Sequence, residues 1–166
     1  MKKTSIVLIA LLSWVGINSV QAQYVEWAFN TVSGNSKTYG LAMDSAGNTY
    51  MTGHYYSSII LDVTQSGTGF YIAKYDADGN PVWSGVAGNG NTRGLSVAID
   101  QGGNSFVSGY FQTTITFGSG SGAVTLNTQT HYNAGFIAKY DANGNFLWAK
   151  SIDGDLWTES FDVHAG

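Results

Sequence analysis

Two stretches decide how this chain is read: "AKYDADGN" at Ala73–Asn80 and "AKYDANGN" at Ala138–Asn145, 65 positions later. Each ends in a turn signal. An Asp can bond its own backbone, and the Gly that follows accepts a positive φ. Both flanks are short runs of β-branched and aromatic residues, "FYIAKY" before "PVW" and "FIAKY" before "FLWAK". That pattern predicts a hairpin with a three-to-five-residue loop. A second pair marks another hairpin. "LAMDSAGNTYMTGHY" (Leu41–Tyr55) matches "VAIDQGGNSFVSGYF" (Val97–Phe111) at an offset of 56, with Asp44 on Asp100, Asn48 on Asn104 and Gly53 on Gly109. The offset grows from 56 to 65 because the second copy inserts "TTITFGSGSGAVTLNTQTHYN" where the first has only "SSIILDVTQSGT".

Two hairpins per unit give four antiparallel strands, expected in the second copy at roughly 94–99, 105–111, 135–141 and 145–150. "ITFG" and "VTLNT" are expected to add a small hairpin within the insertion. Four antiparallel strands per repeat of this length make the blade of a β-propeller, a sheet that buries its faces only by stacking on copies of itself. A β-solenoid is the lesser alternative, since its coils are usually shorter and lack two turn-marked hairpins per repeat. The fold class expected is therefore all-β, an open and incomplete arc of blades. The repeats fall at approximately 29–85 and 86–150, with a partial third from 151.

Trp27, Trp83 and Trp148 recur at one position of the unit and are expected to fill the space between neighbouring blades. "VEWA" at Val25–Ala28 reads as the tail of a preceding unit and "TESFDVHAG" at Thr158–Gly166 as the start of a following one. The chain is thus expected to be the N-terminal piece of a longer protein. Asp44, Asp100, Gly79 and Gly144 are structural repeat positions in the turns.

Residues 1–22 read as a secretory signal peptide: Lys2 and Lys3, an apolar run over Ile6–Ile17, and "VQA" before Gln23. The run is about 12 residues, short of the roughly 20 that a spanning helix needs. Cleavage is expected after Ala22, leaving residues 23–166 with no membrane span. Of 7 basic and 11 acidic residues, the leader removes two basic ones and leaves a net charge of −6. That balance argues against nucleic acid or an anionic membrane as a partner, since both demand a basic surface. There is no cysteine, so an exported core must close by packing alone.

The stretch "SVAIDQGGNSFVSGYF…ITFG…GFIAKYDANGNFLWAKS" resembles the SBBP family, a β-propeller repeat of exported bacterial proteins, notably of the Bacteroidetes type. The likeness covers about Tyr39 to Gly166 and is weaker in the first copy, where Pro81 and "WSGV" depart from the pattern. It implies a secreted or cell-surface propeller, often joined to other domains. It supplies no catalytic residues.

The residues that could carry chemistry are few. Asp76 and Asp78 precede Gly79 as in the opening of a calcium loop, and Asp141 repeats the first of them. An EF-hand asks for Glu at its twelfth position, where this chain has Ala87. Turn formation explains these aspartates, with a weak calcium site as the alternative and no other cofactor expected. His54, His131 and His164 do not recur together and show no metal-ligand spacing. Asp153, Asp155 and Glu159 form an acidic loop, which glycoside hydrolysis would need at a set separation. Tyr55, Tyr56, Tyr110, Phe111 and Trp157 are aromatics for blade packing or for stacking on sugar rings. Two functions follow: a non-catalytic binding or scaffold module outside the cell, with an extracellular protein or glycan as partner; or an accessory or catalytic propeller of an extracellular glycan-processing enzyme. Enzymatic activity is the less expected of the two, and no catalytic residue is assigned.

Overall fold

The computed structural model describes residues 36–88, 90–128, 133–152 and 162–163. The leader, Trp27, His131, His164 and the acidic loop of Asp153, Asp155, Trp157 and Glu159 lie outside them. Two four-stranded antiparallel sheets account for most of the described chain. The first is ordered β1 (Ser36–Met43), β2 (Thr49–Tyr55), β5 (Gly69–Tyr75), β6 (Pro81–Ala87). The second is β7 (Arg93–Ile99), β8 (Ser105–Phe111), β11 (Ala134–Tyr140), β12 (Phe146–Ile152). Neither sheet closes on itself, so the arrangement is an open, propeller-like all-β fold.

The small hairpin expected in the second copy is present as β9 (Thr114–Phe117) and β10 (Val124–Asn127). The first copy has one too, which the sequence reading missed: β3 (Ser58–Ile60) with β4 (Thr64–Ser66). Its strands are too short to show an alternating pattern. The match lies in what they bury. Ile59 and Leu61 stand 56 positions before Ile115 and Phe117, and all four are buried.

The repeated octapeptide is accounted for almost letter by letter. Ala73 and Ala138 are buried small residues at mid-strand. Lys74 lies over the Tyr50 ring at 5.1 Å, and Lys139 over the Phe106 ring at 4.6 Å, a cation–π contact repeated in both sheets. Lys139 also pairs with the turn carboxylate of Asp100 at 3.6 Å. Tyr75 and Tyr140 are buried, and burial, followed by Tyr71 and Asp62, pushes the Tyr75 hydroxyl up to about 12. Asp76 and Asp141 then close the turn. In the second copy Asp141 Oδ1 accepts the Asn143 and Asn145 backbone N–H groups at 2.9 and 2.8 Å, and Oδ2 accepts Asn145 Nδ2 at 2.8 Å. Asp76 makes the same three bonds, and Asp44 and Asp100 repeat them in the other hairpins.

Strand alternation sends side chains of β5 to both faces. Phe70 and Ile72 join the core between the sheets, while Tyr71, Ala73 and Tyr75 pack with Met51, Tyr55, Ile59 and Leu61 on the other side. In the second sheet, the residues 65 positions on from Tyr71, Ala73 and Tyr75 are Phe136, Ala138 and Tyr140, and they face the first sheet. Successive sheets therefore stack with a constant face forward. Phe117 on the small hairpin wedges into that interface, with its ring 6.0 Å from Phe70 and 5.1 Å from Phe136. The innermost strands meet closely as well. A Cβ on Gly94 would collide with Thr52 Oγ1 and lie 2.7 Å from the Phe70 ring.

Trp83 ties the two sheets together. It leaves the first sheet, stacks on Tyr140 of the second at 6.3 Å, and donates from Nε1 to the Ala142 carbonyl oxygen at 3.2 Å. Its ring lies against Gly144, whose φ is +83° and whose added Cβ would sit 2.5 Å from the indole. The turn glycine is therefore needed twice, for its backbone and for the ring laid on it. Trp148, the equivalent residue of the second sheet, is half-buried and touches Phe106 edge-on at 6.3 Å. Trp83→Ala is expected to lower stability by about 3–5 kcal/mol in denaturant titration. Gly144→Ala is expected to destabilise as well, because the methyl meets the same ring at a residue whose φ is positive. A neutral Gly144→Ala would show that the turn does not depend on this packing.

Candidate functional site

One end of the two-sheet interface gathers side chains that the repeat frame does not require. Lys37 on β1 pairs across the ladder with His54 on β2, and Arg93 on β7 pairs with Tyr110 on β8. These are equivalent positions, since Lys37 and Arg93, like His54 and Tyr110, are 56 apart. Stacking of the sheets brings the two pairs together.

A backbone irregularity aims the next ring. The ladder of β1 shifts register between Thr38 and Gly40, leaving Tyr39 as the extra residue, and β7 does the same between Gly94 and Ser96. Bulges commonly redirect a side chain beside a site. Tyr39 stacks on His54 at 5.5 Å, and Tyr56 meets the same imidazole edge-on at 4.9 Å. The Arg93 guanidinium carbon lies 5.6 Å from the Tyr110 ring centre and 6.0 Å from that of Tyr39. Arg93 Nη1 donates to the Tyr39 hydroxyl at 3.3 Å, and Tyr56 is a further hydrogen-bond partner. At the rim Asn91 Nδ2 donates to Gln112 Oε1 at 2.8 Å.

Electrostatics set the character of this cluster. Arg93 and His54 are surrounded by tyrosines, and among the described residues no carboxylate stands within ion-pair distance of Arg93. Burial, then the charges of Arg93 and Lys37, hold the His54 pKa below its ordinary 6.5. The imidazole is therefore neutral near pH 7. Two buried polar atoms here, His54 Nδ1 and Arg93 Nε, have no hydrogen-bond partner. Such a pair is unusual in a packed interface.

Of the aromatics singled out in the sequence, Tyr55 and Phe111 are buried in the packing between sheets and hairpins. Tyr56 and Tyr110 are half-buried and belong to the Arg93 cluster. The sequence reading missed Tyr39, Lys37 and Arg93. A signal for two of them was present, because Lys37 and Arg93 place a basic residue at the same point of both copies. The turn aspartates Asp76, Asp78 and Asp141 lie apart from this cluster, in hairpin loops, where Asp76 and Asp141 accept local hydrogen bonds. Their Asn partners draw the pKa values of Asp76 and Asp141 below the usual carboxylate range. Among the described residues no three His, Asp or Glu side chains converge on one point. Also among these residues, no helix is long and apolar enough to cross a membrane.

Comparison with known proteins agrees with the architecture. No family model matches the chain. An uncharacterized WD repeat-containing protein of Acanthamoeba polyphaga mimivirus is 35% identical over 97 residues, covering 56% of this chain and 7% of that protein. The chain thus spans a small part of the relative it matches. Together with the stacked four-stranded sheets, this likeness makes the repeat one of the β-propeller type.

Two pH dependences follow. A histidine with a depressed folded pKa binds fewer protons folded than unfolded, so its contribution is fully present above pH 6.5 and falls as pH drops below that value. His54→Phe is expected to flatten thermal stability between about pH 5 and 7 relative to the parent chain. An unchanged slope would mean that His54 titrates normally. The turn aspartates act at lower pH. Their stabilisation is present above about the ordinary 3.8 and is lost as pH falls through the lowered folded values. Asp141→Ala is expected to lower the melting temperature modestly at neutral pH and to make the acid limb of the stability profile shallower.

Proposed function

We propose that this chain is the blade-bearing part of an exported β-propeller repeat protein of the SBBP type that works as a non-catalytic binding module, secreted or held at the cell surface. The single observation that carries the reading is the contrast between frame and cluster. The residues that build the blade recur in both copies, whereas Tyr39, His54, Tyr56 and Tyr110 do not, yet they converge with Arg93 on one accessible end of the interface. Guanidinium, tyrosine hydroxyls and aromatic faces suit the holding of a ligand, and the imidazole among them, His54, is buried with Nδ1 paired to no nucleophile. The leader-like residues 1–22 support export. The partner in this reading is an extracellular protein or glycan, with no cofactor and no nucleic acid.

Export is tested by fractionating the native host and sequencing the mature N-terminus. Gln23 is the expected first residue, on protein outside the cytoplasm; Met1 retained on a cytoplasmic product would overturn it. Binding is tested by applying the protein to glycan and extracellular-protein arrays. Calorimetry with millimolar calcium tests the cofactor statement. Stabilisation by several degrees, lost in Asp76→Ala and Asp141→Ala, would replace it with a calcium-held turn.

A further inference from the structure

The Arg93 cluster has a feature that blade packing does not explain: a partly buried cation surrounded by tyrosines. Burying a charge is costly unless it is paired, and here the Tyr39, Tyr56 and Tyr110 groups satisfy only part of the guanidinium. Arg93 Nε stays unpartnered while buried. Lys37, exposed on β1 of the facing sheet and paired across the ladder with His54, adds a second positive charge at this end. Among the described residues neither cation has a carboxylate within ion-pair distance, and Asp162 accepts from Ser96 Oγ, further along β7, at 2.9 Å.

We propose that this end of the interface binds the carboxylate of an acidic sugar, a uronic-acid residue of an extracellular glycan, with Arg93 on the carboxylate and the neighbouring tyrosines against the ring. The assignment rests on the binding-module reading and names its ligand class. A planar guanidinium fits a carboxylate through two parallel hydrogen bonds, a geometry that an ammonium does not offer. The same ligand carries an apolar ring face and several hydroxyls. Tyr39, with 41% of its surface in solvent, and the half-buried Tyr56 and Tyr110 present aromatic surface and hydroxyl groups within a few ångströms of Arg93. An acidic peptide is less suited. Its aspartate or glutamate side chain offers a carboxylate without the ring face and hydroxyls that the neighbouring tyrosines would meet.

The test is titration calorimetry of the full chain with trigalacturonate, with its fully methyl-esterified form and with a tetraglutamate peptide. The free acid is expected to bind, with affinity falling at least about tenfold for the ester and for Arg93→Gln. Arg93→Lys is expected to recover only part of that loss, because it restores charge without the fork. The ester comparison needs no variant, so it decides the matter even if Arg93→Gln folds poorly. Three outcomes overturn the assignment: no binding of the acid up to about 10 mM, equal binding of acid and ester, or a peptide bound as tightly as the sugar. Capture of a neutral glycan or a protein on the arrays, unaffected by Arg93→Gln, would overturn it too, while leaving the binding-module reading in place.

Discussion

The seat of one blade's tryptophan on the next blade's turn is the contact on which this architecture depends. Trp83 reaches out of its own sheet and is held from three directions: Tyr140 beneath the ring, the Ala142 carbonyl at its N–H, and Gly144 against its side. Each partner belongs to the repeated octapeptide. In the second copy the eight residues thus build a hairpin within their own blade and a receiving surface for the preceding one. A lone sheet of four strands has two faces to cover and little means of covering them. Local turn chemistry and neighbour packing are met here by one short segment, and that explains why the segment is written twice with so little change.

Packing spreads from this contact to the small hairpins. In each copy the hairpin between the second and third strands lays two apolar side chains on the same face of its sheet, Ile59 and Leu61 in one and Ile115 and Phe117 in the other. Phe117 completes an aromatic group with Phe70, Phe136 and Phe146. The insertion in the second copy lengthens the loops around that hairpin without changing what it buries. Long surface insertions cost little entropy, so a frame of this kind tolerates variation in its connections while its buried positions stay fixed.

The Arg93 cluster follows a different rule. Lys37, His54, Arg93 and Tyr110 sit on ladder pairs equivalent between the copies, with Tyr39 at a bulge and Tyr56 just past β2, and the residues at the matched points differ from copy to copy. The frame sets where side chains are delivered, and sequence variation sets what is delivered there. Partial burial then gives the chemistry its character. It suppresses protonation of His54 and leaves Arg93 among aromatic rings and hydroxyls.

The strands, the hairpin turns and the repeat were legible because each is encoded locally. Alternating apolar residues and an Asp-x-x-Gly-Asn turn need no distant partner to be recognised, and the strands of the second copy fall within about two residues of their expected places. The role of Trp83 was also visible, since a large ring recurring at a fixed point of a repeat must be covered by the neighbouring copy. The hairpin of the first copy was not legible, because three-residue strands carry no periodicity of their own. The Arg93 cluster was hidden for a stronger reason. Tyr39, His54, Arg93 and Tyr110 are spread over 71 positions, and nothing in the sequence states that two sheets stack with those side chains together. Sequence by itself determined the blade, through local hydrogen bonds and alternation. The meeting of those four side chains was decided only by how one blade lies on the next, a property of packed faces and not of any single segment.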